Sequence, residues 1–132
     1  MSEEPLLTAQ DIVRRCAARE LTIAVAESLT GGLLTSALID PAGASQVVTG
    51  GVVAYSTELK SSVLGVEPEL LREHGPVHPE VARQLAANVR EVLAIDGTPA
   101  SVGIATTGVA GPEAQGEASV GTVFLGLADA NG

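Results

Sequence analysis

The segment LTIAVAESLTGG, residues 21–32, decides how this sequence is interpreted. Its first six residues are apolar or β-branched, and a short run of this kind predicts a buried strand. A helix is predicted to follow directly, from about Leu29 to Ile39, and to end at Asp40-Pro41 because the residue before a proline is pushed out of the helical region. A buried strand that passes at once into a helix is typical of an α/β sheet.

The rest of the chain alternates between the same two kinds of pattern. Further helices are predicted over residues 7–19, 58–64, 68–73 and 80–93. Further strands are predicted over residues 47–54, 100–106 and 120–127. Strands separated by helices predict a three-layer α/β sheet, in which the second strand is left free to run antiparallel to its neighbour.

The composition fits one small domain without a nucleic-acid partner. With 132 residues, 45% of them hydrophobic, the chain can bury one core but not two. Seven basic and 16 acidic residues give a net charge of −9, and the basic residues are scattered, so a binding surface for a phosphate backbone is not expected. Tyr55 and Phe124 are too few aromatic residues for the stacking platforms that bind single strands.

The chain is expected to be a soluble cytoplasmic protein. Cys16 is its single cysteine, which excludes a disulfide within the chain and is interpreted as a small buried hydrophobic residue. No apolar run approaches the ~18 residues of a membrane span, and the acidic start of the sequence does not resemble a signal peptide. We therefore expect no association with a membrane.

Each of the first three predicted strands ends in a segment that holds hydroxyl groups, glycines or both. These segments are residues 27–32, 55–60 and 106–108. Ligands of α/β sheets collect where the loops that follow the strands cluster. We therefore expect the three segments to converge on one site.

Ser28 is the candidate nucleophile. A strand-to-helix junction presents unpaired backbone N–H groups, which favour an oxyanion or a phosphate. The alternative is that Ser28 or Thr30 only caps the helix, as serine and threonine commonly do. Gly31 and Gly32 favour the first interpretation, because a glycine in the first helical turn costs roughly 1 kcal/mol relative to alanine and is understandable where a ligand approaches the backbone closely.

A nucleophilic serine needs a base, and Lys60 is the candidate for that base. His74 and His78 are less suitable because they lie in a turn far along the chain from Ser28. To act near neutral pH, Lys60 would need its pKa lowered by roughly three units, of which a helix dipole supplies only a small part. We expect burial and hydrogen bonding to Tyr55 or Ser28 to supply the rest. The alternative is a solvated lysine on a helix face.

No metal site is expected. His74 and His78 could act as ligands with Glu73 and Glu80, but the glycine and proline between the histidines break the helical spacing that such a pair would use. The glycine-rich loop of residues 107–112 could hold a phosphate through its N–H groups. It matches neither the P-loop nor the dinucleotide-binding fingerprint, so it is weak evidence by itself.

Three segments, taken in order, resemble the CinA C-terminal domain, the nicotinamide-nucleotide amidohydrolase family. They are AESLTGG (residues 26–32), GVVAYSTELK (residues 51–60) and TGVAGP (residues 107–112). The likeness extends to residues 41–45, 64–66 and 120–123, and so covers nearly the whole chain. The resemblance implies one domain over residues 1–132, with the fold of a three-layer α/β/α sandwich and a mixed, mostly parallel sheet.

The resemblance also implies an activity. Members of this family are serine amidohydrolases that convert nicotinamide mononucleotide and water to nicotinic acid mononucleotide and ammonia, and Ser28, Lys60 and Tyr55 match their catalytic serine, lysine and tyrosine. The implied substrate-binding residues are Glu27, Thr30, Gly31, Gly32, Thr107, Gly108 and Gly111. The implied partner is a small nucleotide substrate, with no cofactor and no metal, and homo-oligomerisation is left open.

The sequence departs from the family pattern at several positions. Leu29 stands where the family usually has a cysteine, Ala118-Ser119 replaces a Lys-Pro pair, and His78 replaces a serine. The strand and long arginine-bearing helix with which family members usually end are not matched. These departures motivate an alternative, in which the domain is a non-catalytic nucleotide-binding or interaction module that keeps the family fold.

Overall fold

The structure of this chain, a computed structural model, describes residues 7–132, and the predictions for the first six residues lie outside it. The helices are α1 (Ala9–Ala18), α2 (Leu33–Ile39), α3 (Thr57–Ser62), α4 (Pro68–His74) and α5 (Pro79–Val92), with a 3₁₀ turn over Ala44–Gln46. The strands are β1 (Ile23–Glu27), β2 (Val48–Val53), β3 (Val102–Gly108) and β4 (Val123–Ala128). Each helix and strand predicted from the pattern is present in the predicted order, with ends displaced by a few residues.

The four strands form one mixed, mostly parallel sheet in the order β2-β1-β3-β4. Strand β1 runs parallel to both of its neighbours, with Val25 beside Gly51 of β2 and Ile104 of β3. The option of an antiparallel second strand was therefore wrong. A strand that returns through a crossover helix on one face enters the sheet parallel to the first. The antiparallel strand is β4, which pairs with β3 after a loop without a crossover helix.

Successive side chains of β1 point to opposite faces of the sheet, and helices cover both faces. Ala24 and Ala26 belong to the core under α5, whereas Ile23 and Val25 belong to the core under α1 and α2. This alternation confirms the predicted three-layer α/β/α fold. It also explains why β1 is apolar at every position before Glu27, since a strand buried on both faces has no solvated side.

Small residues allow α5 to approach the sheet closely. A Cβ at Gly103 of β3 would collide with the carbonyl oxygen of Ala86, and a Cβ at Gly126 of β4 would collide with that of Ala82. Glycine at these two positions therefore determines how near α5 lies to the sheet. The same helix begins at the turn that carries His78, so its position also places one wall of the site described below.

Helix α2 begins at Leu33, four residues later than the sequence pattern predicted. Gly31 and Gly32 have φ values of 60° and 107°, a left-handed conformation that glycine adopts readily and that cannot continue a right-handed helix. Ser28 therefore lies on a turn between β1 and α2, outside the helix itself. Within residues 7–132, no helix is long and apolar enough to cross a membrane.

Candidate active site

Ser28 is the first residue after β1 and is buried, with 6% of its surface exposed. Its N–H donates to Thr106 Oγ1 over 3.4 Å, and Thr106 Oγ1 lies 2.7 Å from Thr30 Oγ1. Two neighbouring parallel strands, β1 and β3, thus present their hydroxyl-bearing ends side by side. This arrangement fixes the turn that carries Ser28 without using the Ser28 hydroxyl.

Lys60 lies on α3 and is 1% exposed, which is unusual for a lysine. Its Nζ donates to Ser28 Oγ over 2.8 Å, to the Ala54 carbonyl over 2.8 Å and to the Tyr55 carbonyl over 3.2 Å. Both carbonyls belong to the segment that joins β2 to α3. An ammonium has three N–H donors, so these three acceptors satisfy it completely.

Burial lowers the pKa of Lys60 from its ordinary value of 10.5 to about 8. The cause is desolvation, which disfavours the charged amine, while no carboxylate among residues 7–132 pairs with it. At pH 8 about half of the amines are therefore neutral. A neutral amine keeps two N–H donors for the two carbonyls and turns its lone pair toward the Ser28 hydroxyl.

Glu27 was predicted to bind substrate, but the structure gives its carboxylate a different partner. Its oxygens accept from the N–H groups of Leu34 and Thr35, over 3.0 and 2.8 Å, and from Thr35 Oγ1 over 2.6 Å. Burial alone would raise the pKa of Glu27, but the hydrogen bonds that its carboxylate accepts outweigh burial and lower the pKa to about 2. Glu27 therefore caps α2 and positions the turn that carries Ser28.

The cap changes the interpretation of the oxyanion site, which we expected at the backbone N–H groups near Thr30 and Gly31. The first free N–H groups of α2 already bind Glu27, and the Gly31 N–H donates to the Ser28 carbonyl over 3.1 Å. The N–H groups of Leu29 and Thr30 have no protein acceptor among the hydrogen bonds of the described residues. The left-handed turn thus withdraws the donor of Gly31, whereas Leu29 and Thr30, the two residues directly after Ser28, keep theirs available.

Tyr55 contacts Lys60 through its main chain and not through its phenol. Its carbonyl accepts from Lys60, but the residue is 73% exposed, and in the described residues its hydroxyl bonds to neither Lys60 nor Ser28. The expected convergence of the Tyr55 hydroxyl with the Ser28 hydroxyl and the Lys60 amine is therefore not observed. The side chain instead lies at the rim of the cleft above Ser28.

The cleft in front of Ser28 is closed on the far side by the loop that follows β3. Thr107 is fully buried and its hydroxyl donates to the Pro76 carbonyl over 2.7 Å, which joins the end of β3 to the turn before α5. Gly108 and Gly111, which the family resemblance assigns to substrate binding, line the same cleft. A Cβ at Gly108 would lie 2.8 Å from Leu29 Cδ1, so the two walls meet at this point.

The cleft is small and carries few charges. Its volume is about 100 Å³, compared with roughly 300–1,000 Å³ for a typical ligand pocket. Among the described residues that line it, Lys60 is the cation and Glu113 the acid. A ligand of ordinary pocket size would therefore extend beyond the cleft.

Three contributors to the site were not predicted from the sequence. The Ala54 and Pro76 carbonyls act through the main chain, and Thr106 was noted only as part of a hydroxyl-rich strand end. Carbonyl acceptors leave no signal in side-chain patterns. One available signal was unused: Lys60 is the only lysine in the sequence, and the only lysine of an acidic chain stands out.

The two histidines lie side by side, although a glycine and a proline separate them in the sequence. Their ring centroids are 4.5 Å apart, and His74 Nδ1 lies 3.0 Å from Glu117 Oε1. The glycine and proline between the histidines do break the helix. The resulting turn nevertheless returns His78 to the side of His74. Two potential ligands therefore come together without helical spacing.

These observations define a class of protein: an α/β/α domain in which a serine and a buried lysine meet at the carboxyl ends of parallel strands. The model of the family described as the CinA C-terminal domain matches residues 7–132. The chain belongs to this family.

Relatives and solved structures agree with this assignment. The chain is 49% identical over 114 residues to a CinA-like protein of Frankia casuarinae, covering 86% of this chain and 25% of that protein. It is 44% identical over 118 residues to a putative competence-damage inducible protein of Bacillus velezensis, covering 89% of this chain and 27% of the relative. The chain thus spans about a quarter of the length of these curated relatives.

Two crystal structures share the whole fold. The competence/damage inducible protein CihA from Agrobacterium tumefaciens superimposes with a TM-score of 0.80 at 35% identity, covering 100% of this chain and 79% of that one. A competence-damaged protein (CinA) superfamily protein from Enterobacter cloacae has a TM-score of 0.84 at 29% identity, covering 100% of this chain and 78% of that one.

Proposed function

We propose that this domain hydrolyses the carboxamide of nicotinamide mononucleotide, giving nicotinic acid mononucleotide and ammonia. The observation that carries the proposal is the 2.8 Å contact between Lys60 Nζ and Ser28 Oγ in a water-poor environment. A buried lysine without a carboxylate partner is costly to keep charged, and it is useful as a base. The choice of a pyridine nucleotide rests on the family resemblance.

In the first step, neutral Lys60 removes the proton of the Ser28 hydroxyl as Oγ attacks the carboxamide carbon. The carbonyl oxygen becomes an oxyanion, and the N–H groups of Leu29 and Thr30 are the nearest candidates to stabilise it. Lys60, now an ammonium, retains its two bonds to the Ala54 and Tyr55 carbonyls. These two carbonyls keep the amine directed at Ser28 in both protonation states.

In the second step, the tetrahedral intermediate collapses. Lys60 returns its proton to the amide nitrogen, the C–N bond breaks, and ammonia leaves an ester on Ser28. Lys60 then removes a proton from water as the water oxygen attacks the ester carbon. When the bond between that carbon and Ser28 Oγ breaks, Lys60 returns the proton to Oγ, which releases the carboxylic acid and restores the neutral amine. The family's tyrosine role falls to Tyr55, whose side chain at the rim is placed to contact the substrate.

We propose two kinds of contribution to substrate binding, direct contact in the cleft and shaping of the turn around Ser28. The residues involved are Thr30, Gly31, Gly32, Thr107, Gly108 and Gly111. Thr107, Gly108 and Gly111 line the cleft, where their backbone borders the site of the carboxamide. Thr30, Gly31 and Gly32 act by shaping the turn around Ser28. The left-handed conformation of both glycines makes that shape available.

The direct test is ammonia release from nicotinamide mononucleotide by the purified chain and by Ser28→Ala and Lys60→Met variants. Ser62→Ala, at an exposed position of the same helix, is the matched control for a lost hydroxyl. We expect turnover by the parent and control proteins and none above background by the two site variants. Equal release from all four proteins would show that the activity does not use this pair.

The cleft volume favours one alternative, a module that binds the nucleotide without turning it over. A cleft of about 100 Å³ encloses only part of a mononucleotide. In this case calorimetry would show binding of nicotinamide mononucleotide by the parent chain, with no acid product after prolonged incubation. Turnover that depends on Ser28 would eliminate the alternative.

A further inference from the structure

A second polar cluster lies behind the wall of the cleft, at the junction of α4 and α5. It consists of His74, His78 and Glu117, whose potential ligand atoms all lie within 4.8 Å of one another. The two histidines are half-buried, and Glu117 is exposed on the loop between β3 and β4. These are the only two histidines in the chain.

The backbone brings these three side chains together by close contacts on both sides. Glu117 lies in a two-residue turn, in which the N–H groups of Gln115 and Ala118 each donate to the other's carbonyl. This turn packs against the end of α4, where a Cβ at Gly116 would lie 2.7 Å from the His74 carbonyl oxygen. Gly75, with φ of 77°, then redirects the chain so that His78 returns beside His74. The cluster is therefore built into the fold.

We propose that His74, His78 and Glu117 form a binding site for a divalent cation of the zinc class. Two imidazoles and one carboxylate are a ligand set that zinc uses in proteins, with a fourth position open to water. A tetrahedral ion with bonds of about 2.0–2.2 Å separates its ligands by about 3.4 Å, so no pair of ligand atoms needs to approach by more than about 1.4 Å. Because His74 and Glu117 are already in contact, the movement falls mainly on the His78 ring, and the exposed Glu117 side chain is free to follow it.

The existing hydrogen bonds show what the cation would replace. His74 Nδ1 contacts Glu117 Oε1 over 3.0 Å, and His78 Nδ1 accepts from the Glu80 N–H over 3.1 Å as the N-cap of α5. The cation would take over the link between His74 and Glu117. It would also recruit His78, whose ring must turn or exchange its proton between nitrogens to present a free lone pair.

The position of the site gives it a consequence for the cleft. Pro76 and Val77, between the two histidines, line one wall of the cleft, and Gln115, in the turn that carries Glu117, lines the adjoining wall. A cation that joins His74, His78 and Glu117 therefore fastens these two walls to each other. The site adds a structural cation to the domain, and it does not depend on the proposed amidase activity.

The test is titration of the full, tag-free chain with zinc chloride, followed by calorimetry and by the ring signals of the two histidines in NMR spectra. A Cys16→Ser background removes the only thiolate ligand. We expect one equivalent of zinc to bind, to shift both ring signals and to raise the melting temperature. Cobalt(II) at the same site should give the visible absorption of a tetrahedral complex.

Three variants separate the cluster from adventitious binding. His74→Ala and Glu117→Gln should each weaken zinc binding at least tenfold, and His78→Asn should do the same while retaining a residue that caps α5. Glu113→Gln, on the same loop but outside the cluster, is the matched control and should bind like the parent. Absence of saturable binding, or equal affinity in Glu117→Gln and the parent, would overturn the proposal.

Discussion

Glu27 and Lys60 are two buried charged residues at the same end of the sheet, and they are treated in opposite ways. The carboxylate of Glu27 accepts hydrogen bonds from the first turn of α2, and its pKa is lowered to about 2. Lys60 has neutral acceptors and no countercharge among residues 7–132, and burial lowers its pKa to about 8. The environment of Glu27 stabilises its negative charge, whereas the environment of Lys60 favours loss of its positive charge.

The difference separates the structural role of Glu27 from the catalytic role that we propose for Lys60. A group that must remain charged is matched with donors and a helix N-terminus, as Glu27 is. A group that must exchange a proton near neutral pH is desolvated instead, because desolvation brings the pKa of a lysine toward the working pH. The two residues therefore make distinct and separable predictions for activity and for stability.

The largest effect is expected from removing the proton acceptor. Lys60→Arg keeps a cation but cannot lose its proton near neutral pH, and Lys60→Met keeps only the apolar stem. Both variants should lower kcat for ammonia release by about 10³-fold or more while remaining folded. Circular dichroism is the control for folding. Activity of Lys60→Arg within tenfold of the parent would show that Lys60 acts as a charge and not as a base.

The next effect is on stability and concerns the other buried charge. Glu27→Ala should lower the free energy of unfolding by about 3 kcal/mol at pH 7, measured by urea denaturation, because the α2 cap and its lowered pKa are both lost. Exposed Glu58→Ala is the matched control and should change it by less than about 0.5 kcal/mol. A small effect of Glu27→Ala would mean that water replaces the cap at little cost.

The contribution of Glu27 to the free energy of unfolding should disappear in acid. Because its folded pKa of about 2 lies below the ordinary 4.5, its contribution is complete above about pH 4.5 and is lost as the pH falls toward 2. Parent and Glu27→Ala proteins should therefore converge in stability in acid. If the stabilities of the two proteins instead differed by the same amount from pH 6 to pH 2, the stabilisation by Glu27 would not come from its ionised carboxylate.

The third effect is an increase in the free energy of unfolding in alkaline solution, by about 1 kcal/mol at pH 9. Between the folded pKa of about 8 and the ordinary 10.5, the unfolded chain binds more protons at Lys60 than the folded chain, so stability should rise with pH in this window. Lys60→Met should lack the rise. Because Lys60 is the only lysine, NMR of ¹³Cε-lysine reports its pKa directly. A titration midpoint near 10.5 would show that water reaches the amine.

The smallest effect is expected at Tyr55, where the structure separates the main chain from the phenol. Tyr55→Phe keeps the carbonyl that binds Lys60, so we expect kcat to change by less than about tenfold and the alkaline stability to be unchanged. Tyr55→Ala should raise KM more than Tyr55→Phe if the ring contacts substrate. A loss in Tyr55→Phe as large as in Lys60→Met would place the hydroxyl in the proton transfer.

Much of this protein was determined by its sequence alone. The alternation of buried strands and amphipathic helices predicted the element order and the three-layer fold, since burial on one or both faces leaves a periodic pattern. Ser28 and Lys60 were identified as a possible pair from strand ends, hydroxyls and glycines. These are local signals, carried by side chains within a few residues of one another.

Tertiary structure alone decided three further features. Glu27 became the cap of α2 because Gly31 and Gly32 delay the helix until its free N–H groups face that carboxylate. The burial of Lys60 was expected from the sequence, but the two carbonyls that hold its amine, in the segment that joins β2 to α3, were found only in the structure. His74 and Glu117 met although 43 positions separate them, because the end of α4 and the loop after β3 pack together. Main-chain acceptors and long-range packing leave no periodic pattern, so no local signal in the sequence could have reported them.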